Sequence, residues 1–373
     1  MKVLHFIDNG RMGGAQTLLS NILPLLPSFG IENRVVVLGE DRWLAARLEA
    51  NRVPVEVLNL PRWKMNVMPD LAKVIRSFHP DVIHAHLFKS VMLATFLKAR
   101  GTIQTPVVVH DHQGFYPQSW RFYYPFPVRW ALEVIYQRML AQVERVIVLT
   151  KEMKERYEQA YHDVHSDKIV LLPNAIIYHK RTTECLNFRE KYGLPSDIPL
   201  VTMVGRFAKE KRWDLFVKLA YQCREEDIAF VGIGTGKLFS RIKKQINALR
   251  LKRVFLLGAR QDVDCFLRQS TVCVQTSVRE NFSLYVIEAM RWGCPVVAMY
   301  NGGTEHIIEH GRTGLLAPFG RVQEMCTLTK RLLSLPEERE RLSLLAYQKV
   351  LAQYTIQAVL PQWVAFYQNL SPP

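Results

Sequence analysis

Four clusters of residues carry the clearest chemical potential in this chain. The most specific runs Glu280-Asn281-Phe282-Ser283-Leu284-Tyr285-Val286-Ile287-Glu288-Ala289-Met290 and continues through Gly293-Cys294-Pro295-Val296-Val297-Ala298. Its two carboxylates lie eight residues apart across an expected loop-to-helix junction. In a continuous helix that is about 12 Å, wider than the ~5–9.5 Å of a glycosidase acid–base pair. The spacing suits two carboxylates gripping different parts of one long ligand. Backbone N–H groups of Phe282, Ser283 and Leu284 at the helix start can meet phosphate oxygens between them.

The second cluster is Val204-Gly205-Arg206-Phe207-Ala208-Lys209-Glu210-Lys211. Glycine lets the chain turn after a strand, and two cations then head a helix, a good site for a diphosphate. The ordinary alternative is a solvated basic turn. The third cluster joins His84-Ala85-His86 to His110-Asp111-His112. Histidines two apart in a strand share a face, which permits zinc. The favoured reading is polar lining that hydrogen-bonds a phosphate or sugar hydroxyl. The fourth is Gly10-Arg11-Met12-Gly13-Gly14-Ala15, a turn that allows close ligand approach to a helix N-terminus. It lacks the GxGxxG spacing, which disfavours a dinucleotide cofactor.

These clusters need elements to position them. Strands are expected at Val3–Ile7, Arg34–Leu38, Pro54–Leu58, Val82–His86, Val107–His110, Arg145–Leu149 and Ile169–Leu172. The alternation restarts at Leu200–Val204, Ala229–Gly232, Val254–Leu257, Val272–Gln275, Pro295–Ala298 and Gly314–Ala317. Amphipathic stretches such as Gln16–Leu26, Trp43–Asn51 and Pro69–His79 separate them. The expectation is two doubly wound α/β domains facing across a cleft, with ligands at the carboxyl ends of the strands. The expected boundaries are 1–177, 178–354 and a C-terminal helix over 355–373 packing back on the first domain. Helices after Leu328 are expected to break near Tyr354 and Pro361. Cleft closure would hinge near Asn174–Lys180 and Tyr354.

The chain has 373 residues, 49% apolar and 22% charged, which excludes disorder and supports more than one domain. A net charge of +15 predicts an anionic partner. No basic tail or nucleic-acid module accompanies that charge, so nucleic acid is not the expected partner. The six cysteines form no CxxC pair and are expected as reduced thiols in a cytoplasmic protein. The N-terminal apolar stretch is too short for a signal peptide, and no run approaches the ~18 apolar residues of a membrane span.

The Glu280/Glu288 pattern, with Ala289-Met290 and Gly293-Cys294-Pro295-Val296-Val297-Ala298, resembles the signature of retaining glycosyltransferase family 4, the group 1 glycosyl transferases of GT-B fold. Gly13-Gly14 resembles that family's N-terminal glycine loop, His84-Ala85-His86-Leu87 its His-x-His segment, and Gly205-Arg206 with Lys211 its diphosphate motif. Asn301-Gly302-Gly303-Thr304-Glu305 and Gly311-x-x-Gly314-Leu315-Leu316 resemble the segment closing the donor pocket. Asn281 stands where the family often has glycine.

The resemblance implies a hexosyltransferase that takes a UDP- or GDP-sugar and needs no cofactor or metal. Arg206 and Lys211 would hold the diphosphate, Glu288 the ribose hydroxyls, and Glu280 the donor sugar near its reacting carbon. Gly13, Gly14, Phe282, Ser283 and Leu284 would complete the donor site. His112 would hydrogen-bond the sugar, chosen over His110 by its offset from Pro106. Cations and helix N–H groups would stabilise the leaving diphosphate in place of a metal. Front-face attack would retain the anomeric configuration. Asp262-Val263-Asp264 is read as a helix N-cap, not as a metal-binding DxD.

Tyr116 to Trp130 is dense in aromatic and basic residues, with Trp120, Arg121, Tyr123, Arg129 and Trp130 as its anchors, and Pro61-Arg62-Trp63-Lys64-Met65 is a shorter version. Such a mixture suits an anionic membrane surface, sugar stacking, or burial beneath a loop. With His84 and His86 it is the expected acceptor side, for a saccharide or a lipid-linked sugar at the inner face of the membrane in bacterial polysaccharide or glycolipid synthesis. The alternatives are a nucleotide-sugar epimerase of the same fold, a nucleic-acid-binding protein, and an inactive scaffold.

Overall fold

The computed structural model describes residues 1–59, 68–112, 125–161, 164–177, 185 and 187–370, without the side chains of 68 and 69. It divides into two compact units, Met1–Ile177 with Ile356–Pro373, and Tyr178–Thr355.

The first unit is built on β1 (Lys2–Ile7), β2 (Glu32–Val37), β3 (Val55–Val57), β4 (Val82–His86), β5 (Val107–His110), β6 (Arg145–Val148) and β7 (Ile169–Leu171). Their order is β3-β2-β1-β4-β5-β6-β7, with parallel pairing throughout. The central strands β1, β4, β5 and β6 are buried on both faces, as a parallel sheet covered by helices demands. Strand order reverses between β1 and its neighbours β2 and β4, a topological switch point. One face packs Val3, Ile7, Val35, Val37 and Val108 against Leu18, Leu19 and Ile22 of the helix Gly14–Ile22. Val359, Trp363 and Tyr367 of the helix Ile356–Gln368 join that core.

The second unit repeats the plan with β8 (Leu200–Val204), β9 (Ala229–Ile233), β10 (Val254–Leu256), β11 (Val272–Gln275), β12 (Val296–Met299) and β13 (Leu315–Ala317), in the order β10-β9-β8-β11-β12-β13. Val201, Met203, Val272, Val274 and Val297 pack against Phe216, Leu219, Met325 and Leu332. The switch point lies between β8 and β11, so the loops after these strands open together.

Four local expectations need correction. The helix expected over Gln16–Leu26 ends at Ile22 and continues as a 3-10 turn over Leu23–Phe29, because Pro24 and Pro27 lack the N–H an α-helix needs. Pro361 does not break the last helix, which runs from Ile356 to Gln368. The carbonyl it leaves unbonded belongs to Gln357, an exposed residue. Asp262 sits at the N-cap position of the helix Val263–Gln269, but its side chain makes no cap bond and accepts from Tyr192 Oη (2.6 Å) and Lys191 Nζ (3.2 Å). The six cysteines are not all thiols. Cys185 and Cys265 form a disulfide, and their 80-residue separation hides the pairing from sequence spacing. The other four meet in pairs, Cys223 with Cys326 at 2.9 Å and Cys273 with Cys294 at 3.2 Å between sulfurs.

Candidate functional site

In the second unit the loops after β8 and β11 bring together Lys211 and Glu280, 69 residues apart, at 2.5 Å between Nζ and Oε1. The same Glu280 oxygen accepts from Gln275 Nε2 at 3.0 Å, and Gln275 Nε2 also donates to Ser283 Oγ at 2.8 Å. Ser283 caps the helix Leu284–Arg291 and accepts from the Val286 N–H at 3.4 Å. A short network therefore ties the lysine, the first glutamate and the helix start. Because that helix begins only at Leu284, Glu280 lies in the preceding loop and Glu288 within the helix.

Arg206 is held differently. Its side chain is 76% exposed and its guanidinium meets Glu210 at 2.9 Å. The backbone beneath it is fixed: Trp213 Nε1 donates to the Arg206 carbonyl at 2.8 Å, and Phe207 stacks on Trp213 with centroids 3.9 Å apart. Thr276 Oγ1 donates to the carbonyls of Lys211 (3.0 Å) and Arg212 (3.1 Å), and the Val278 N–H donates to Glu210 (2.8 Å). The loop is rigid at its backbone while its arginine head stays in water.

Sequence reasoning did not single out Gly234-Thr235-Gly236 after β9, although its alternating glycines were the available signal. The Phe207 N–H donates to the Thr235 carbonyl at 2.9 Å. A Cβ on Gly234 or Gly236 would collide with backbone of Gly205 or Phe207, so both glycines permit backbone to lie directly on the basic loop. Gln275 was likewise not singled out. Gly303 makes a similar approach: a Cβ there would strike the Glu280 carbonyl. Asn301 Oδ1 accepts from the N–H groups of Gly303 (3.2 Å) and Thr304 (3.0 Å), fixing the loop after β12.

Glu288 is half-buried, and desolvation raises its carboxyl to about pKa 7, with Asp264 adding to the rise and Arg291 opposing it. It can hold a carboxylate or a carboxylic acid near neutral pH.

In the first unit, β1, β4 and β5 place five histidines beside one another. His5 pairs in register with His84, and His86 with His110. His5, His84, His86 and His110 are fully buried, and His112 follows just beyond β5. Ring centroids lie 4.1 Å apart for His84 and His86 and 3.8 Å apart for His110 and His112, both stacked. Trp363 stacks over His84, and Tyr367 Oη lies 2.6 Å from His84 Nδ1. Burial holds all five well below the ordinary imidazole range, His5 to about 4 and His112 to about 3, so the stack is neutral at pH 7.

Two overlapping trios, His5/His84/His86 and His86/His110/His112, bring nitrogens within 4.8 Å. Two contacts inside them are hydrogen bonds, His5 Nδ1 to His86 Nε2 at 3.0 Å and His86 Nδ1 to His112 Nε2 at 3.1 Å. His5–His86, His84–His86 and His110–His112 are stacked, while His5–His84, His86–His110 and His86–His112 are tilted by 33–45°.

Gly13 is the extended N-cap of the helix Gly14–Ile22, and the turn before it is braced by Gln16 Nε2 donating to the Asn9 carbonyl at 3.0 Å. Arg129 packs over Phe126 (5.3 Å) and pairs with Glu133 (3.5 Å), while Phe126, Val128 and Trp130 are exposed. Trp120, Arg121 and Tyr123, the segment 61–65, and hinge positions 178–180 lie outside the described residues. Among the described residues no helix is long and apolar enough to cross a membrane.

Comparison with known proteins fits this frame. The family pattern "Glycosyl transferases group 1" matches residues 186–349, and "Glycosyl transferase 4-like domain" matches 13–175. The chain belongs to the group 1 glycosyltransferases of family 4 type and is a glycosyltransferase. It is 32% identical over 187 residues to the alpha-D-kanosaminyltransferase of Streptomyces kanamyceticus, an alignment spanning 49% of this chain and 48% of that protein. It is 28% identical over 263 residues to an Escherichia coli UDP-Gal:alpha-D-GlcNAc-diphosphoundecaprenol alpha-1,3-galactosyltransferase, spanning 68% of this chain and 66% of that one. Anabaena HepE, solved with UDP, superposes with a TM-score of 0.84 at 21% identity, covering 99% of this chain and 100% of that one. That likeness shows the fold, the pair of Rossmann-like domains called GT-B.

Proposed function

We propose that this glycosyltransferase moves a hexose from a UDP- or GDP-sugar to a saccharide or lipid-linked acceptor, with retention of anomeric configuration and without a metal. The observation that carries the reading is the Lys211–Glu280–Gln275–Ser283 network beside the exposed Arg206. As the C–O bond breaks, negative charge grows on the leaving diphosphate and the sugar becomes oxocarbenium-like. Lys211 and Arg206 meet that negative charge, and the helix start at Phe282, Ser283 and Leu284 adds N–H dipoles. Glu280 orients Lys211 and contacts the donor sugar, Glu288 takes the ribose hydroxyls, and Gly13 and Gly14 let backbone approach the donor closely. His112 hydrogen-bonds the transferring sugar.

In this reading the Tyr178–Thr355 unit binds the donor and the Met1–Ile177 unit the acceptor, with His84 and His86 on the acceptor side. The exposed Phe126, Val128 and Trp130 beside Arg129 support peripheral contact with an anionic bilayer, where a lipid-linked acceptor in polysaccharide or glycolipid assembly is presented. The UDP named with HepE and the lipid diphosphate named for the galactosyltransferase support these ligand classes.

The test is transfer from UDP- and GDP-sugars to saccharide and lipid-linked acceptors in EDTA, with the new linkage read by NMR. Nucleoside diphosphate release that needs the acceptor, with an unchanged anomeric configuration, is expected. Inversion, a metal requirement, or epimerised donor as the product would each overturn the corresponding part.

A further inference from the structure

A buried asparagine stands in β2 between Glu32 and Arg34. Asn33 in β2 is 3% exposed, and a buried amide must have its bonds satisfied. Its Nδ2 donates to the carbonyls of Ile31 (3.0 Å) and Leu23 (3.4 Å), which can only accept. That fixes the amide orientation. Oδ1 therefore faces His5 Nε2, 3.1 Å away, and His5 must carry its proton there.

A neutral imidazole has one N–H and one lone pair. With its proton on Nε2, His5 accepts at Nδ1, so His86 donates to it from Nε2 across 3.0 Å. His86 is then an acceptor at Nδ1, and His112 donates to it from Nε2 across 3.1 Å. Each bond fixes the direction of the next. The three rings are neutral near pH 7 because burial opposes their charging. The order set by one amide thus reaches a histidine 79 positions away in sequence.

We propose that Asn33, His5 and His86 are positioning residues that hold His112 as its Nε2–H tautomer, so that the hydrogen bond it makes to the transferring sugar is one it accepts at Nδ1. The functional half of this proposal rests on the reading of His112 as a sugar contact. A lone pair on Nδ1 that accepts a hydrogen bond from a sugar hydroxyl enriches the hydroxyl oxygen and favours a ring that is becoming cationic. A donor at that position would do the reverse. Residues that do not touch the transferring sugar would then set the polarity of one that does.

The experiment uses the full chain labelled with ¹⁵N histidine and long-range ¹H–¹⁵N spectra, which distinguish a protonated from a bare ring nitrogen. Wild-type His112 is expected to be protonated at Nε2 and bare at Nδ1. Asn33→Leu and, independently, His86→Phe are expected to give mixed His112 tautomers and a kcat lowered about tenfold with donor KM unchanged, the scale of one hydrogen bond. A wild-type His112 protonated on Nδ1 overturns the proposal without any variant, and so does a single unchanged tautomer in a folded Asn33→Leu. If the tautomers behave as expected but His112→Ala keeps the wild-type kcat, the sugar-contact reading fails and the functional half falls with it, while the ordering of the chain stands.

Discussion

The two units prepare their polar groups in opposite ways. In the first, the histidines of β1, β4 and β5 are fully buried, stacked and neutral. In the second, Lys211 and Glu280 are paired ions that keep 20% and 12% of their side-chain surface, and Arg206 keeps 76%. Ions taken out of water lose more solvation than a pair returns unless their geometry is very good, whereas a neutral imidazole needs only hydrogen bonds. The charged groups of the second unit accordingly keep some contact with water, Arg206 most of all. Neutral histidines joined by hydrogen bonds can be built into the core.

That contrast predicts its largest effect in acid. A histidine whose folded pKa lies below its unfolded value of about 6.5 binds fewer protons when folded, so its contribution is lost as pH falls below that value. His5, His84, His86 and His110 are all depressed by burial. Each therefore withdraws stability as pH falls below about 6.5, and all four lie in one unit, so their losses fall on the same fold. Glu288 acts with the other sign. Its pKa is raised to about 7, so its burial is a cost above that pH, relieved as pH falls toward the unfolded value near 4.5. Calorimetry from pH 7.5 to 5 is expected to show the first unit's transition dropping steeply and the second unit's holding. A first-unit transition that holds equally well would remove the neutral-stack description.

The charged site gives the next effect. On the proposed reading, Lys211→Ala removes the cation that meets the developing diphosphate charge, and it leaves Glu280 without its ion partner. A loss of about 10²–10³ in kcat is expected, as for removal of one transition-state donor. Steady-state kinetics that differ from wild type by less than threefold would contradict it.

A smaller effect separates the two carboxylates. If Glu288 takes the ribose hydroxyls as proposed, it does so best as a carboxylate, so nucleotide affinity should weaken below its pKa near 7 and level off above it. Glu288→Gln should flatten that profile. A profile of unchanged slope in the variant would place the titrating group elsewhere. At the bottom of the scale, Glu210→Gln breaks only an exposed pair with Arg206, and denaturant melts should move by less than about 1 kcal/mol.

The sheets were legible because each strand is a short β-branched run ending in a polar or glycine-rich turn. Val82–His86, Val107–His110, Leu200–Val204 and Val272–Gln275 have the same bounds in sequence and structure. The elements misread were those where proline competes with helix: Pro24 and Pro27 diverted one, and Pro361 was tolerated in another. Within the site, local motifs were visible and long-range partners were not. His84 and His86 announce themselves by spacing, but His5 reads as one polar residue in a strand, and Asn33 as one more. Only the pairing of β1 with β2 and β4 puts them in line. Lys211 and Glu280 likewise meet only because β8 lies next to β11. The Cys185–Cys265 bridge and the glycine turn at 234–236 depend on contacts of the same kind.

The central claim is that the cations and helix start of the second unit hold a nucleoside diphosphate without a metal. Isothermal titration of UDP and GDP into the protein in EDTA tests it most directly. Binding of one of them is expected in EDTA, weakened at least tenfold in both Lys211→Ala and Glu288→Ala, with magnesium adding nothing. Binding that appears only with magnesium, or that survives both substitutions undiminished, would contradict the account.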